Sequence, residues 1–268
     1  MNDTVLHSTD SRGVVTLTLN RPDINNAYDD ALIDAVLHAL DALAGLDAPR
    51  AVVVQANGRH FQAGADLKWL ARVAGQSVQD NLRASRRTAE VVHRLNTLPI
   101  PTVALVQGAC FGGGTGIVAA CDVVIAASNA IFAIAESRWG LIANIIVPQL
   151  ADAIGVRQLR RYALTGERFD AEQALRIGLV HEVVAPATLA QAGERIVDHL
   201  LHNAPEATAQ TKAAILEQAL GDVSTQSFTR LVAQHAARRQ SDEAAEGFAS
   251  FREKRAARWY PGKPETST

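Results

Sequence analysis

PTVALVQGACFGGGTGIVAACD, residues 101–122, is the stretch on which the fold of this chain turns. Residues 103–106 form a short apolar run of strand type, a turn follows, and Gly112, Gly113 and Gly114 lead into a segment of helical character. A glycine run after a strand lets main chain approach a ligand without Cβ interference. If a helix opens there, its first N–H groups have no partner within the helix and favour negative charge. Taken alone, the run also fits an ordinary tight turn. No Gly-Lys-Ser/Thr follows it and its spacing is not G-x-G-x-x-G, so neither phosphate-cradle pattern applies. Nor does the chain contain G-x-S-x-G or H-E-x-x-H.

Working outward, residues 14–19 alternate as a strand with one wet face, broken at Asn20-Arg21-Pro22. Asp29 or Asp30 can cap a helix whose apolar stripe runs Leu32, Val36, Leu40 and Leu43, with Gly45 and Pro49 ending it. The β-branched run 51–54 predicts a buried strand, which leads into a two-glycine loop at 57–67. Residues 78–95 predict a long polar-faced helix stopped before Pro99. Strands are expected at 123–126 and 131–134, and the alternation indicates an α/β core. From Val147 onward the pattern is mostly helical, with one short strand at 180–184. Asp170 and Gln173 form a capping arrangement ahead of a short helix that Gly178 stops. The composition shift near 203–205 divides the chain into a core, 1–203, and a helical region, 204–268.

Composition excludes several classes. The 268 residues are 48% hydrophobic and 20% charged, ordinary for a soluble globular protein with ample length for a core. A formal net charge of −2 offers no electrostatic reason to expect nucleic acid or an anionic membrane. Cys110 and Cys121 are too few for a disulfide framework and lack metal-ligand company. His199 and His202 have no companion to complete a metal site. The N-terminus carries no apolar leader and no stretch approaches a membrane span, so the expected compartment is the cytoplasm.

Five pieces, in order, carry a resemblance: LTLNRPDINNAYDD (17–30), HFQAGADLKWL (60–70), the block 106–122, LTGERFDAEQALRIGLVHEVV (164–184) and FREKRAARW (251–259). The chain resembles the enoyl-CoA hydratase/isomerase (crotonase) superfamily from about Val14 to Trp259. Within it, VQGACFGGGTGIVAACDVVIAAS followed by AESRWGLI is most similar to bacterial methylglutaconyl-CoA hydratase-like members. The resemblance implies a spiral of ββα units with a C-terminal helical region that builds a trimer or a dimer of trimers. It also implies a coenzyme A thioester substrate, no metal and no separate cofactor. Carried over by motif, the main-chain N–H groups of Ala65 and Gly113 hold the thioester oxygen, and Glu136 transfers the proton. Preorganised N–H donors stabilise the enolate that forms when an α-proton leaves. Ala63, Asp66, Leu67, Lys68 and Gly112 fall in the segments expected to line the coenzyme A and acyl sites. Arg252, Lys254, Arg255 and Arg258 form a basic run that could reach a neighbouring subunit's phosphates, or simply a solvated helix face.

The proton-transfer groups depart from the two-glutamate pattern of such hydratases. The first position is Gly116, one helical turn past Gly113 and on the same face. The second is Glu136, after the apolar run 131–135, where burial should raise its pKa. One carboxylate suffices for a 3-enoyl to 2-enoyl shift, whereas hydration needs a gripped water, for which Asn144 is the candidate second contact. The nearest likeness favours hydration of a short or branched 2-enoyl thioester. The isomerase and a non-catalytic thioester-binding or assembly protein stand as alternatives. Arg72 and Arg138 could receive a distal substrate carboxylate, and Asp122 reads as a structural hydrogen-bond partner.

Overall fold

The computed structural model describes residues 4–46, 48–219 and 242–262. Two sheets carry the core. The larger runs β1 (Val5–Thr9), β2 (Val14–Leu19), β3 (Ala51–Ala56), β4 (Thr102–Val106), β6 (Val123–Ala127) and β9 (Glu182–Val184), parallel except for the β1–β2 hairpin. The smaller sheet joins β5 (Ala109–Phe111), β7 (Ile131–Ala133) and β8 (Phe169–Asp170). Its core pair, β5 and β7, is parallel.

The chain winds as a spiral because each turn gives one strand to each sheet. β4 and β5 precede helix α4 (Gly113–Ala119), and β6 and β7 precede α5 (Val147–Thr165). The preceding turn does the same with β3 and a single bridge, Gln62 beside Cys110, before α2 (Leu67–Ala74) and α3 (Val78–Thr97). The central strands β3, β4 and β6 are buried on both faces, which is why they are apolar runs rather than alternating ones. β2 does alternate, but the wet face expected of it is largely covered, with Thr18 buried. Val15, Val52, Val54, Ala104 and Val106 face α1 (Asp30–Leu43) and the central helices. Val53, Val103, Leu105 and Ile125 pack against Val197 and Leu201 of α7 (Leu189–Leu201). Asp29 caps α1 by accepting from the Leu32 N–H, and Asp170 caps α6 (Ala171–Ile177) by accepting from Gln173.

Four elements escaped the sequence reading, the shortest of them the two-residue β8. β1 lies at the sheet edge, where only Val5 of its five residues is buried, so its pattern reads as polar. β5 is three residues long and sits where the glycine turn was expected. α2 replaces the end of the predicted loop, opened by Asp66, whose Oδ1 accepts from the N–H of Lys68 and of Trp69 at 2.8 and 2.9 Å.

Downstream of Asn203 lie α8 (Pro205–Ala219) and α9 (Asp242–Glu253). The boundary at 203 is crossed by a part-buried ion pair: Lys212 Nζ reaches Asp122 Oδ2 at 2.7 Å. That oxygen also accepts from the N–H and hydroxyl of Thr102, so Asp122 is a structural partner. Lys212→Ala removes one of the three donors to this part-buried carboxylate, and we expect a loss of about 1–3 kcal/mol in denaturant unfolding. Glu243 of α9 accepts from the first N–H groups of α8, those of Glu206 and Ala207. The basic run is largely committed inside the chain. Arg255 and Arg258 both pair with Glu246, Lys254 is exposed, and the side chain of Arg252 lies outside the described ones. No helix among the described residues is long and apolar enough to cross a membrane.

Candidate active site

Register brings the three predicted reacting residues to one edge. Gln62 lies beside Cys110, and Cys110 beside Phe132, in parallel orientation. Neighbouring strands stand about 4.8 Å apart. Ala65 follows Gln62 by three positions, Gly113 follows Cys110 by three, and Glu136 follows Phe132 by four. All three therefore leave the same, carboxyl-terminal, end of the small sheet in successive turns of the spiral. The ends of parallel strands are where open α/β sheets bind ligands.

Local contacts close this edge. Tyr28 pairs through its backbone with the residues flanking Ala65: its N–H donates to the Gly64 carbonyl at 3.0 Å, and its own carbonyl accepts from Asp66 at 2.9 Å. That pairing turns the Ala65 N–H away, and it finds no acceptor among the described residues. The Gly113 N–H, the first of α4, finds none either. The Tyr28 ring lies against Gly113, where a Cβ would stand 2.7 Å from its Cε1. Gly112 adopts φ 51° and ψ −120°, open in practice to glycine alone. A Cβ there would come within 3.0 Å of Glu136 Oε1. Glu136 thus packs against one residue of the glycine run and Tyr28 against the next.

The electrostatics follow from burial. Desolvation raises the Glu136 pKa from its ordinary value, offset in part by the nearby N–H groups of Glu136 and Ala135. Its Oε2 is buried with no hydrogen-bond partner among the described residues. Burial, with the neighbouring Glu136 charge, pushes the Tyr28 phenol up to about 12, so it remains a neutral donor.

The position of the missing carboxylate is filled. A Cβ on Gly116 would overlap the Ile146 side chain, standing 2.9 Å from its Cβ, with Val92 Cγ2 at 3.6 Å. Both residues are buried. Asn144 is exposed, and no hydrogen bond joins it to Glu136 among the described residues. The proposed carboxylate receptors are also directed elsewhere. Arg72 pairs with Asp30 at 2.6 Å, and Arg138 packs over Gly166. Asp66 is occupied as the α2 cap, while Leu67 and Lys68 are exposed beside it. The Ala63 N–H donates to Asn25, leaving its carbonyl without a donor among the described residues.

Three residues of this edge carried no sequence signal strong enough to single them out. Gln62 is fully buried, and its Oε1 accepts from the Gly64 N–H at 3.0 Å. It holds the turn that presents Ala65, and Gly114 must lack a Cβ to pass over it. A lone amide between Phe61 and Ala63 was the available clue. Tyr28 and Ile146 meet the glycine run only through tertiary packing.

An apolar cavity of about 30 Å³ opens over Gly113. A larger cavity, about 730 Å³, lies beyond the other end of α4 beside α8, where its Asp122–Lys212 pair is already satisfied. The N–H groups of Ala65 and Gly113 and the Glu136 Oε2, which have no partner among the described residues, lie at the glycine-run edge and not at this larger cavity. No group of three or more His, Cys, Asp or Glu that could hold a metal ion occurs among the described residues.

The model of the enoyl-CoA hydratase/isomerase family matches residues 9–262. A mitochondrial Delta(3,5)-Delta(2,4)-dienoyl-CoA isomerase of Dictyostelium discoideum is 31% identical, over 93% of this chain and 88% of that protein. A 1,2-epoxyphenylacetyl-CoA isomerase of Escherichia coli is also 31% identical, over 91% and 94%. The crystal structure of an enoyl-CoA hydratase from Shewanella pealeana superposes with a TM-score of 0.92 at 33% identity, covering 97% of each chain.

Proposed function

Because the chain belongs to the enoyl-CoA hydratase/isomerase family, whose members work on acyl-CoA thioesters, we propose that it moves the double bond of a 3-enoyl thioester to the 2-position. The observation that carries this reading is the buried Glu136 Oε2, which has no hydrogen-bond partner among the described residues, together with a Gly116 whose side-chain space Ile146 fills. Ionised Glu136 takes a proton from C2. The electron pair spreads onto the thioester oxygen, where the N–H groups of Ala65 and Gly113 meet the charge in a poorly solvated site. The protonated carboxyl then returns its proton to C4, and the double bond is left between C2 and C3. A raised pKa suits a group that must both accept and release a proton.

The second reading is hydration of a short or branched 2-enoyl thioester. It is favoured by the Tyr28 hydroxyl, which has no hydrogen-bond partner among the described residues and could hold a water near Glu136. The name of the Shewanella relative agrees with it. In either reading coenzyme A enters only as part of the substrate, its nucleotide near Ala63 and Lys68. The protein works in the cytoplasm as a trimer or pair of trimers, a state suited to exposed apolar side chains such as Val78, Leu82 and Ile142.

Incubation with short 3-enoyl and 2-enoyl thioesters in deuterated water separates the outcomes. Double-bond migration with deuterium incorporation, lost in Glu136→Gln, is expected. A 3-hydroxyacyl product selects hydration instead. Binding without exchange or turnover would make the chain a thioester-binding protein and end the catalytic reading.

A further inference from the structure

We infer that the site takes a short, uncharged acyl chain, and that Ile146 is the wall setting its length. The inference rests on Gly113 holding the thioester oxygen and on the acyl chain entering the cavity that Gly113 lines, which Ala65 and Glu136 do not line. That cavity is walled by Tyr28, Leu32, Val92, Ile117 and Ile146, with no charged side chain among its lining residues. Its volume of about 30 Å³ leaves room for only a few carbon atoms. Ile146 is fully buried and packs against Gly116, with Val92 beside the same point, so moving it to admit a longer chain would disrupt core packing. A distal carboxylate would enter this apolar space without a counter-ion, a heavy desolvation cost. Arg72 and Arg138, the basic groups expected to meet it, lie against Asp30 and Gly166 and do not line the cavity. The branched dicarboxylic substrate implied by the methylglutaconyl-type likeness therefore fits this cavity poorly.

Binding of saturated thioesters, which cannot isomerise or add water, tests the inference apart from the chemistry. Calorimetric titration with butanoyl-, hexanoyl-, decanoyl- and glutaryl-CoA should show butanoyl-CoA bound at least 10-fold more tightly than glutaryl- or decanoyl-CoA. Ile146→Ala should move the preference by about 10-fold or more toward the longer chains, on the scale of a methylene or two in an apolar pocket. Ile146→Val, which removes one methyl and disturbs the core less, should shift it in the same direction. Affinity independent of chain length, tight binding of glutaryl-CoA, or an unchanged preference in both variants that fold would overturn the assignment. Tight, length-selective binding without turnover of any enoyl thioester would sink the proposed reaction and leave this inference standing.

Discussion

Glu136→Gln is expected to lower kcat/KM by about 10²–10⁴ while making the protein more stable at neutral pH. The first effect follows because the amide cannot accept the C2 proton. The second follows from the direction of the carboxyl's shift. Burial raises the folded-state pKa of Glu136 above its ordinary value of 4.5, so the ionised form is disfavoured in the native state relative to the unfolded chain. Below about pH 4.5 both states carry the neutral acid, and the favourable balance of the native carboxyl is fully present. As pH climbs through the raised value that contribution is lost. A glutamine has no charge to lose. The stability gap between variant and parent should therefore widen from acid to neutral pH and then level off. The acid limb of kcat/KM in the parent should sit above the usual glutamate range for the same reason. Urea unfolding at several pH values, paired with rate profiles, checks both signs. A gap that stays flat with pH would mean that Glu136 titrates like an exposed carboxylate and that its place in the site is misjudged.

What could be read from the chain beforehand depended on how local the determining physics was. Asp29, Asp170 and the helices they cap were legible because a cap and an apolar stripe lie within one segment. The buried parallel strands announced themselves as β-branched runs. β1 was hidden because an edge strand with one buried residue looks like a polar tail. The candidate site was legible only through its glycines and Glu136. Its common edge depends on the register of Gln62, Cys110 and Phe132, three residues far apart in sequence. Ile146 was illegible for a sharper reason. An isoleucine before a helix says nothing of what it covers, and only the packing shows that it stands where a Gly116 side chain would go. Asn144, a polar residue at a suggestive position, is exposed in the fold.

The occupied space beside Gly116 leads to the second large effect. In an exposed helix, replacing an interior glycine by alanine normally stabilises by about 0.5–1 kcal/mol. Here the new methyl would overlap Ile146, itself fully buried against α4, so Gly116→Ala should instead cost about 1–3 kcal/mol. Gly116→Glu adds an unpaired carboxylate to the same overpacked site and should cost about 4 kcal/mol or more, enough to unfold a marginal domain. Ile146→Ala alone should cost about 2–5 kcal/mol through the void it leaves. The two defects are complementary, since one is missing volume and the other excess volume at the same point. In Gly116→Ala/Ile146→Ala the losses should therefore fall well short of additive, with a coupling of about 1 kcal/mol or more in a double-mutant cycle. The carboxylate version extends the argument to chemistry. Gly116→Glu/Ile146→Ala places a second acid–base group one helical turn from Gly113, in the space that Ile146 vacates. A rise in 3-hydroxyacyl product relative to double-bond migration is then expected, because two carboxylates can hold a water that one cannot. Strict additivity in the cycle would mean that Ile146 does not occupy the Gly116 space, and the single-carboxylate mechanism would lose its structural basis.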